Sequence, residues 1–205
     1  MKRLAPAIAA IALTACIPAA IVTETTVTYV APAGISVDSV AILPVSTGDG
    51  LEGFRRLIAD SLAAALRHAR PALVVLGADT VLSRLNVAGA AESYAQMMRD
   101  YSQTSILDQH TLAAIAQVAG ARDLLYIRAA YGEARSVAGN FITGYSSQRD
   151  QDLTLFVHIW DGRRGDVVWE ASTHSKVSAG EVETSRGLDE ILADAVRSLA
   201  NRFAR

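Results

Sequence analysis

The side chains here that could carry chemistry are one thiol, four imidazoles, a hydroxyl–lysine cluster and a few paired carboxylates. Cys16 is the sole cysteine in 205 residues, so an internal disulfide and a four-thiolate metal site are excluded by count. A buried small hydrophobe, a reactive thiol and a processing site remain open for it. His68, His110, His158 and His174 show no H-E-x-x-H or similar ligand spacing. His158 and His174 fall on two paired strands, where hairpin register sets them about four rungs, roughly 13 Å, apart, too far to share a metal. Thr173-His174-Ser175-Lys176 gathers suggestive side chains, but strand alternation points His174 away from Ser175. No G-x-S-x-G or S-x-x-K is present. The acid pairs Asp150/Asp152 and Glu181/Glu183 sit at strand or loop ends and read as solvated edges.

Gly48-Asp49-Gly50-Leu51-Glu52-Gly53 fits G-x-G-x-x-G and precedes a helical pattern, as a dinucleotide-binding turn should. Asp49 and Glu52 place negative charge where a pyrophosphate needs a positive helix terminus. Asp79 also lies further on than the usual acidic residue about 20 positions away. The turn is expected to join a strand to a helix and nothing more. No cofactor, no metal and no catalytic residue is expected, and the chain reads as a non-enzyme.

The elements that would position these groups are mostly marked by periodicity. Residues 38–45 (DSVAILPV) read as a continuous apolar strand, with Pro44 near its end where a missing donor is tolerated. Phe54, Leu57, Ile58, Leu62, Ala65 and Leu66 recur at helical spacing. Residues 72–77 form a second short strand; Asp79 caps a short helix and 91–104 form another. Asp108 caps the helix QHTLAAIAQVA, which Gly120 ends. A strand at 122–134, a loop at 136–148 and a hairpin of 152–161 with 166–177 follow. Leu188, Ile191, Leu192, Ala195, Val196, Leu199 and Phe203 make the stripe of a final helix. "TVTYV" adds an edge strand. The order β-α-β-α-α-β-β-β-α predicts an α+β fold: a mixed, partly antiparallel sheet of about four to five strands with helices packed on one face.

Position decides the reading of Cys16. Lys2 and Arg3 precede the apolar stretch LAPAIAAIA, and small residues follow, the three-part plan of a secretory signal peptide. Leu13-Thr14-Ala15-Cys16 resembles the lipobox of bacterial lipoproteins at all four positions. That resemblance implies cleavage before Cys16 and acylation of its thiol and new amino terminus. A retained anchor competes, because Leu4 to Val22 nearly reaches the roughly 18 residues of a span, although Pro6 and Pro18 interrupt it. Cleavage without lipid is the third reading. Ile17 stands where inner-membrane lipoproteins of enteric bacteria carry aspartate, which implies the periplasmic face of the outer membrane. The expected division is a signal peptide at 1–15, lipidated Cys16 and a short tether at 16–35, and a single domain at 36–205. Loss of residues 1–15 takes the net charge from −2 to −4, which gives no basic surface for nucleic acid.

The hairpin carries the candidate surface. Leu153, Leu155, Val157 and Ile159 line one face, and Thr154, Phe156, His158 and Trp160 the other. With helices on the first, Phe156, His158 and Trp160 form a candidate partner-binding face of aromatics with polar tips. The segments 17–35 or 136–148 are the alternative cover for it.

"VAILPV" followed by an amphipathic helix, "DQHTLAAIAQVAGARDLLYIR" and "FVHIWDGRRGDVVWE" together resemble a group of envelope proteins. It includes the curli-secretion lipoprotein CsgG, the penicillin-binding-protein activator LpoB and the amino-terminal domain of TolB. The resemblance covers roughly 38–203 and is most specific at the D-x-x-x-G turn of Asp161 and Gly165. It implies a layered α/β sandwich that makes protein contacts without catalysis. Residues 132–150 are too short for a CsgG-like barrel wall, and the 22 residues from Cys16 to Asp38 span about 75 Å at most, short of LpoB's tether. Neither activity is expected to transfer. The expected role is therefore a membrane-anchored accessory or scaffold module with an envelope-protein partner in assembly or secretion, oligomeric state open. A periplasmic module that binds a small ligand or glycan is the alternative.

Overall fold

A run of mostly β-branched residues, IVTETTVTYV, forms β1 (Ile21–Val30) at one edge of a seven-stranded sheet. The computed structural model describes residues 20–32, 36–140, 144–180 and 187–204. The segment 1–15 expected to be a signal peptide, Cys16 with the lipobox-like Leu13, Thr14 and Ala15, and the Glu181/Glu183 pair lie outside these residues.

After β1 come β2 (Ser39–Ile42), the short β3 (Ser46–Thr47), α1 (Arg55–Ala69), β4 (Val74–Leu76), α2 (Ala78–Val87), α3 (Ala91–Thr104) and α4 (Gln109–Ala119). Three long strands follow, β5 (Asp123–Asn140), β6 (Gly144–Asp161) and β7 (Val167–Gly180), then α5 (Leu188–Phe203). The strand order is β1-β7-β6-β5-β2-β4, with β3 beside β5. β2, β3, β4 and β5 pair in parallel, while β5, β6, β7 and β1 form an antiparallel meander. The fold is thus α+β with a mixed, partly antiparallel sheet, as expected, but with seven strands where four to five were predicted.

Three expectations are corrected. Helices cover both faces: Ile58, Leu62, Ile191 and Leu199 of α1 and α5 pack with Ile42, Leu125 and Leu155, while Val81, Met97, Leu112 and Ile115 of α2, α3 and α4 pack with Leu43, Leu124 and Trp160. The reason is visible in VAIL and LLYI, unbroken apolar runs whose neighbouring residues must bury on opposite sides. The loop predicted at 136–148 is largely the outer part of β5 and β6, paired out to Asn140 opposite Gly144. The tether predicted to reach residue 35 ends by Ile21, because β1 pairs with β7 from Ile21 opposite Val177 onward.

The helix signals act as read at several points. The Asp108 carboxylate accepts from the Thr111 backbone N–H at 2.7 Å, and Gly120 ends α4 in the left-handed region at φ 76°. Asp79 instead falls inside the first turn of α2, after an extended Gly77. The turn between β6 and β7 is built on Asp161, 1% exposed. Its carboxylate accepts from the backbone N–H groups of Arg163 and Arg164 at 2.9 and 3.2 Å, and from Arg122 Nη2 at 2.7 Å. Gly165 closes the turn at φ 77°, a conformation that a Cβ disfavours. Burial pushes the Asp161 carboxyl up, but Arg122 and the two N–H groups outweigh it and hold the group below its ordinary value.

Candidate functional site

Trp160 does not belong to an exposed face: it is 1% exposed. Cross-strand pairing sets Leu124 opposite Trp160, Tyr126 opposite His158 and Arg128 opposite Phe156. The Tyr126 ring stacks on Trp160 with centroids 5.4 Å apart, and Tyr101 of α3 meets Trp160 edge-on at 5.3 Å. α3 therefore closes over the Trp160 end of this face and leaves Phe156, 40% exposed, outside it. His158 sits between the two environments.

What remains open is a cleft of about 410 Å³ where α3, β3, β5 and β6 meet. Ser46, Thr47, Ser102 and Ser105 supply hydroxyls, Arg128 a cation, and Phe156 and Tyr126 apolar rings. Tyr101 Oη lies 3.5 Å from His158 Nδ1, which in turn lies 3.5 Å from Glu170 Oε2. Glu170 is held by Thr28 of β1, whose hydroxyl donates to its carboxylate at 2.7 Å. Burial lowers the His158 pKa, and Glu170 only partly opposes this. Burial, with Tyr126 and Glu170 nearby, raises that of Tyr101. At neutral pH the imidazole and the phenol are then both held toward their uncharged forms, and with the hydroxyls and Arg128 they line the cleft with hydrogen-bonding groups.

The other groups singled out in the sequence stay apart. His158 faces Glu170 and His174 faces Thr154, four rungs away. His174 Nε2 contacts Asp152 at 2.6 Å on the exposed side of the sheet. Gly48 continues the sheet by donating its N–H to Ala129 O at 3.0 Å, and the glycine-rich turn leads into the short 3-10 turn Glu52–Phe54 ahead of α1. Among the described residues, no group of three or more His, Cys, Asp or Glu side chains is arranged to hold a metal ion. Tyr101 and Arg128 were not singled out beforehand. Arg128 could have been, since hairpin register places it across from Phe156; Tyr101 arrives from a helix whose pattern says nothing of its docking.

Beyond α2, α3 and α4 no other described helix covers the same sheet face. Thr25 of β1 and Thr173 of β7 point to α5, where the Thr25 hydroxyl meets Thr173 and Ser198 at 2.8 and 2.6 Å. The alternate residues Val22, Glu24 and Thr26 of β1 and His174 and Lys176 of β7 are exposed on the opposite side. An antiparallel sheet can leave one face in water in this way.

A second polar cluster lies at the far end of the hairpin. Asp123 stands opposite Asp161, is 2% exposed, and its Oδ2 has no hydrogen-bond partner among the described residues. Burial pushes this carboxyl up to about 6; Arg122 opposes the rise, while Asp161 and Asp38 add to it. A folded value above the ordinary one means that the protonated form favours folding. That contribution is complete below about pH 4 and is lost as pH rises through about 6. Asp123→Asn is therefore expected to leave stability unchanged near pH 4 and to raise it by about 1–2 kcal/mol near pH 7.5. Urea unfolding at the two pH values measures this; an equal change at both contradicts the assignment.

No protein-family model matches the chain, and no curated protein does. Among solved structures, a PelC dodecamer from Paraburkholderia phytofirmans is similar at 14% identity, with 91% of this chain and 100% of that one covered and a TM-score of 0.48. Lipoprotein GNA1162 from Neisseria meningitidis is similar at 16% identity, covering 80% and 98%, with a TM-score of 0.40. The hypothetical protein CT253 from Chlamydia trachomatis gives 11% identity, 82% and 96% coverage, and a TM-score of 0.46. Likeness at this level assigns the chain neither a family nor an activity.

Proposed function

We propose that this protein is a lipoprotein held by acylated Cys16 on the periplasmic face of the outer membrane. Its domain acts there as a non-catalytic interaction module in envelope assembly or secretion. The observation that carries the reading is the face of β6, β7 and β1 left exposed among the described residues, with Phe156 at its margin beside the cleft. A mixed polar and apolar surface with an aromatic anchor is the composition of a non-obligate protein interface.

The start of β1 supports the anchoring. Cys16 and Ile21 are five residues apart, at most about 17 Å of extended chain, so the sheet hangs close under a lipid at Cys16. Ile21 and Val22 belong to β1, which shortens the apolar stretch that a retained anchor could use. Among the described residues no helix is long and apolar enough to cross a membrane. The resemblance to CsgG, LpoB and TolB rests on the sequence motifs alone.

A second reading has its own support. The cleft combines hydroxyls, the Arg128 guanidinium and aromatic rings, groups that suit a small polar ligand or a glycan. Photo-crosslinking from position 156 and from position 174 in intact envelopes separates the two. The interaction reading expects one protein adduct in near-stoichiometric yield from both positions. A lack of protein adducts, with saccharide retained by the wild type and lost in Arg128→Ala, favours the second reading and sinks the first.

A further inference from the structure

β5 outruns its neighbours on one side. It pairs with β2 at residues 123–125 and with β3 at 128–129, while its other side is paired with β6 as far as Asn140. Leu125 O and Ala129 O accept from Leu43 and Gly48 on the first side, and Arg122 O accepts from Gly162 on the second. Odd-numbered residues of β5 therefore turn their backbone groups to the β2–β3 edge. At Tyr131, Glu133, Arg135 and Val137 those groups meet no backbone partner on that side among the described residues. Val137 is 68% exposed.

Natural sheets blunt long edges with proline, charged side chains (lysine above all), bulges or short strands, and here Glu133 and Arg135 are the charges on the edge. Residues 130–140 contain no proline and no lysine, and the register with β6 is unbroken. The opposite edge, β1, carries a register shift between Val27 and Tyr29.

The free stretch is complementary to itself. Read outward from Ala134, it runs Glu133 against Arg135, Gly132 against Ser136 and Tyr131 against Val137. An antiparallel pair centred on Ala134 sets opposite charges face to face twice and small residues against small ones. It matches odd residues with odd ones, so each pair exchanges two backbone hydrogen bonds. Moving the centre to Glu133 or Arg135 sets like charges opposite each other, which destabilises a sheet. The central register also keeps the ladder within 131–137, clear of the edge already filled by β3.

We propose that two copies of this chain join through these edges, as a two-fold dimer whose sheets run on from β5 to β5 with Ala134 on the axis. Ala134 is then a non-hydrogen-bonded pair with its own counterpart. Such Cα atoms lie about 4.5 Å apart, within disulfide reach. Ser136 lies opposite Gly132 of the other copy, so the two Ser136 residues are about 13 Å apart, out of reach.

The test uses the full chain in an oxidising envelope, with the unsubstituted chain as control for Cys16. Ala134→Cys is expected to give a disulfide-linked dimer on non-reducing electrophoresis, and Ser136→Cys no more than the control. For the chain purified in detergent, sedimentation is expected to show Glu133→Arg or Arg135→Glu weakening the dimer about tenfold or more. The double swap Glu133→Arg with Arg135→Glu is expected to restore it. A monomer at all concentrations, equal cross-linking at 134 and 136, or no rescue by the swap overturns the proposal.

Discussion

Trp160→Ala is expected to remove about 3–5 kcal/mol of stability, the range for deleting a fully buried large aromatic. Trp160 is sealed by Tyr126 stacked on one side and Tyr101 edge-on, inside the cluster that also holds Leu43, Leu112 and Ile115. Its loss opens a cavity that α3 and α4 can only partly fill, because the stacked Tyr126 is itself fixed on β5. In a domain of this size each kcal/mol is worth about 2–4 °C, so the midpoint should fall by roughly 10 °C. Phe156→Ala, four residues away on the same strand face, is expected to cost less than about 1 kcal/mol. Thermal unfolding of the two variants side by side makes the comparison. Equal, small losses would mean that Trp160 faces solvent and that the cleft is not bounded as described.

Cys16→Ser is expected to have the larger effect in the cell, moving the protein out of the outer-membrane fraction. A serine hydroxyl offers no thiol for thioether formation, so the lipid cannot be attached. Each buried methylene contributes about 0.8 kcal/mol to membrane affinity, and stable anchoring needs more than one chain. Removing all of it leaves a domain bound only through partners. Fractionation of envelopes from wild type and variant reads this directly, and equal recovery in the outer-membrane fraction counts against anchoring at Cys16.

How far the fold could be read in advance depends on where the stabilising contacts come from. α4 and α5 carry their own signals: the Asp108 cap and Gly120 stop in one, and the stripe from Leu188 to Phe203 in the other. The hairpin register is likewise local, since the turn on Asp161 and Gly165 sets it. The outer parts of β5 and β6, by contrast, are Gly-, Ser- and Asn-rich at residues 136–140 and 144–148. Such residues have little strand preference of their own; here they are extended because each borders a paired neighbour. The coverage of both sheet faces was legible in LLYI and VAIL but was outweighed by the cleaner alternation of β6. That alternation, TLFVHIW, left Trp160 looking like a surface residue. Only the docking of α3, which no spacing announces, turns it into core and leaves Phe156 and His158 at the cleft.

Attachment to the membrane rests on Cys16. Intact-mass and peptide mass spectrometry of the mature protein from the envelope addresses it most directly. The expected result is a first residue at Cys16, with residues 1–15 absent and the added mass of acyl chains on that residue. A mature chain that starts beyond Cys16, or one that carries it unmodified, contradicts the account.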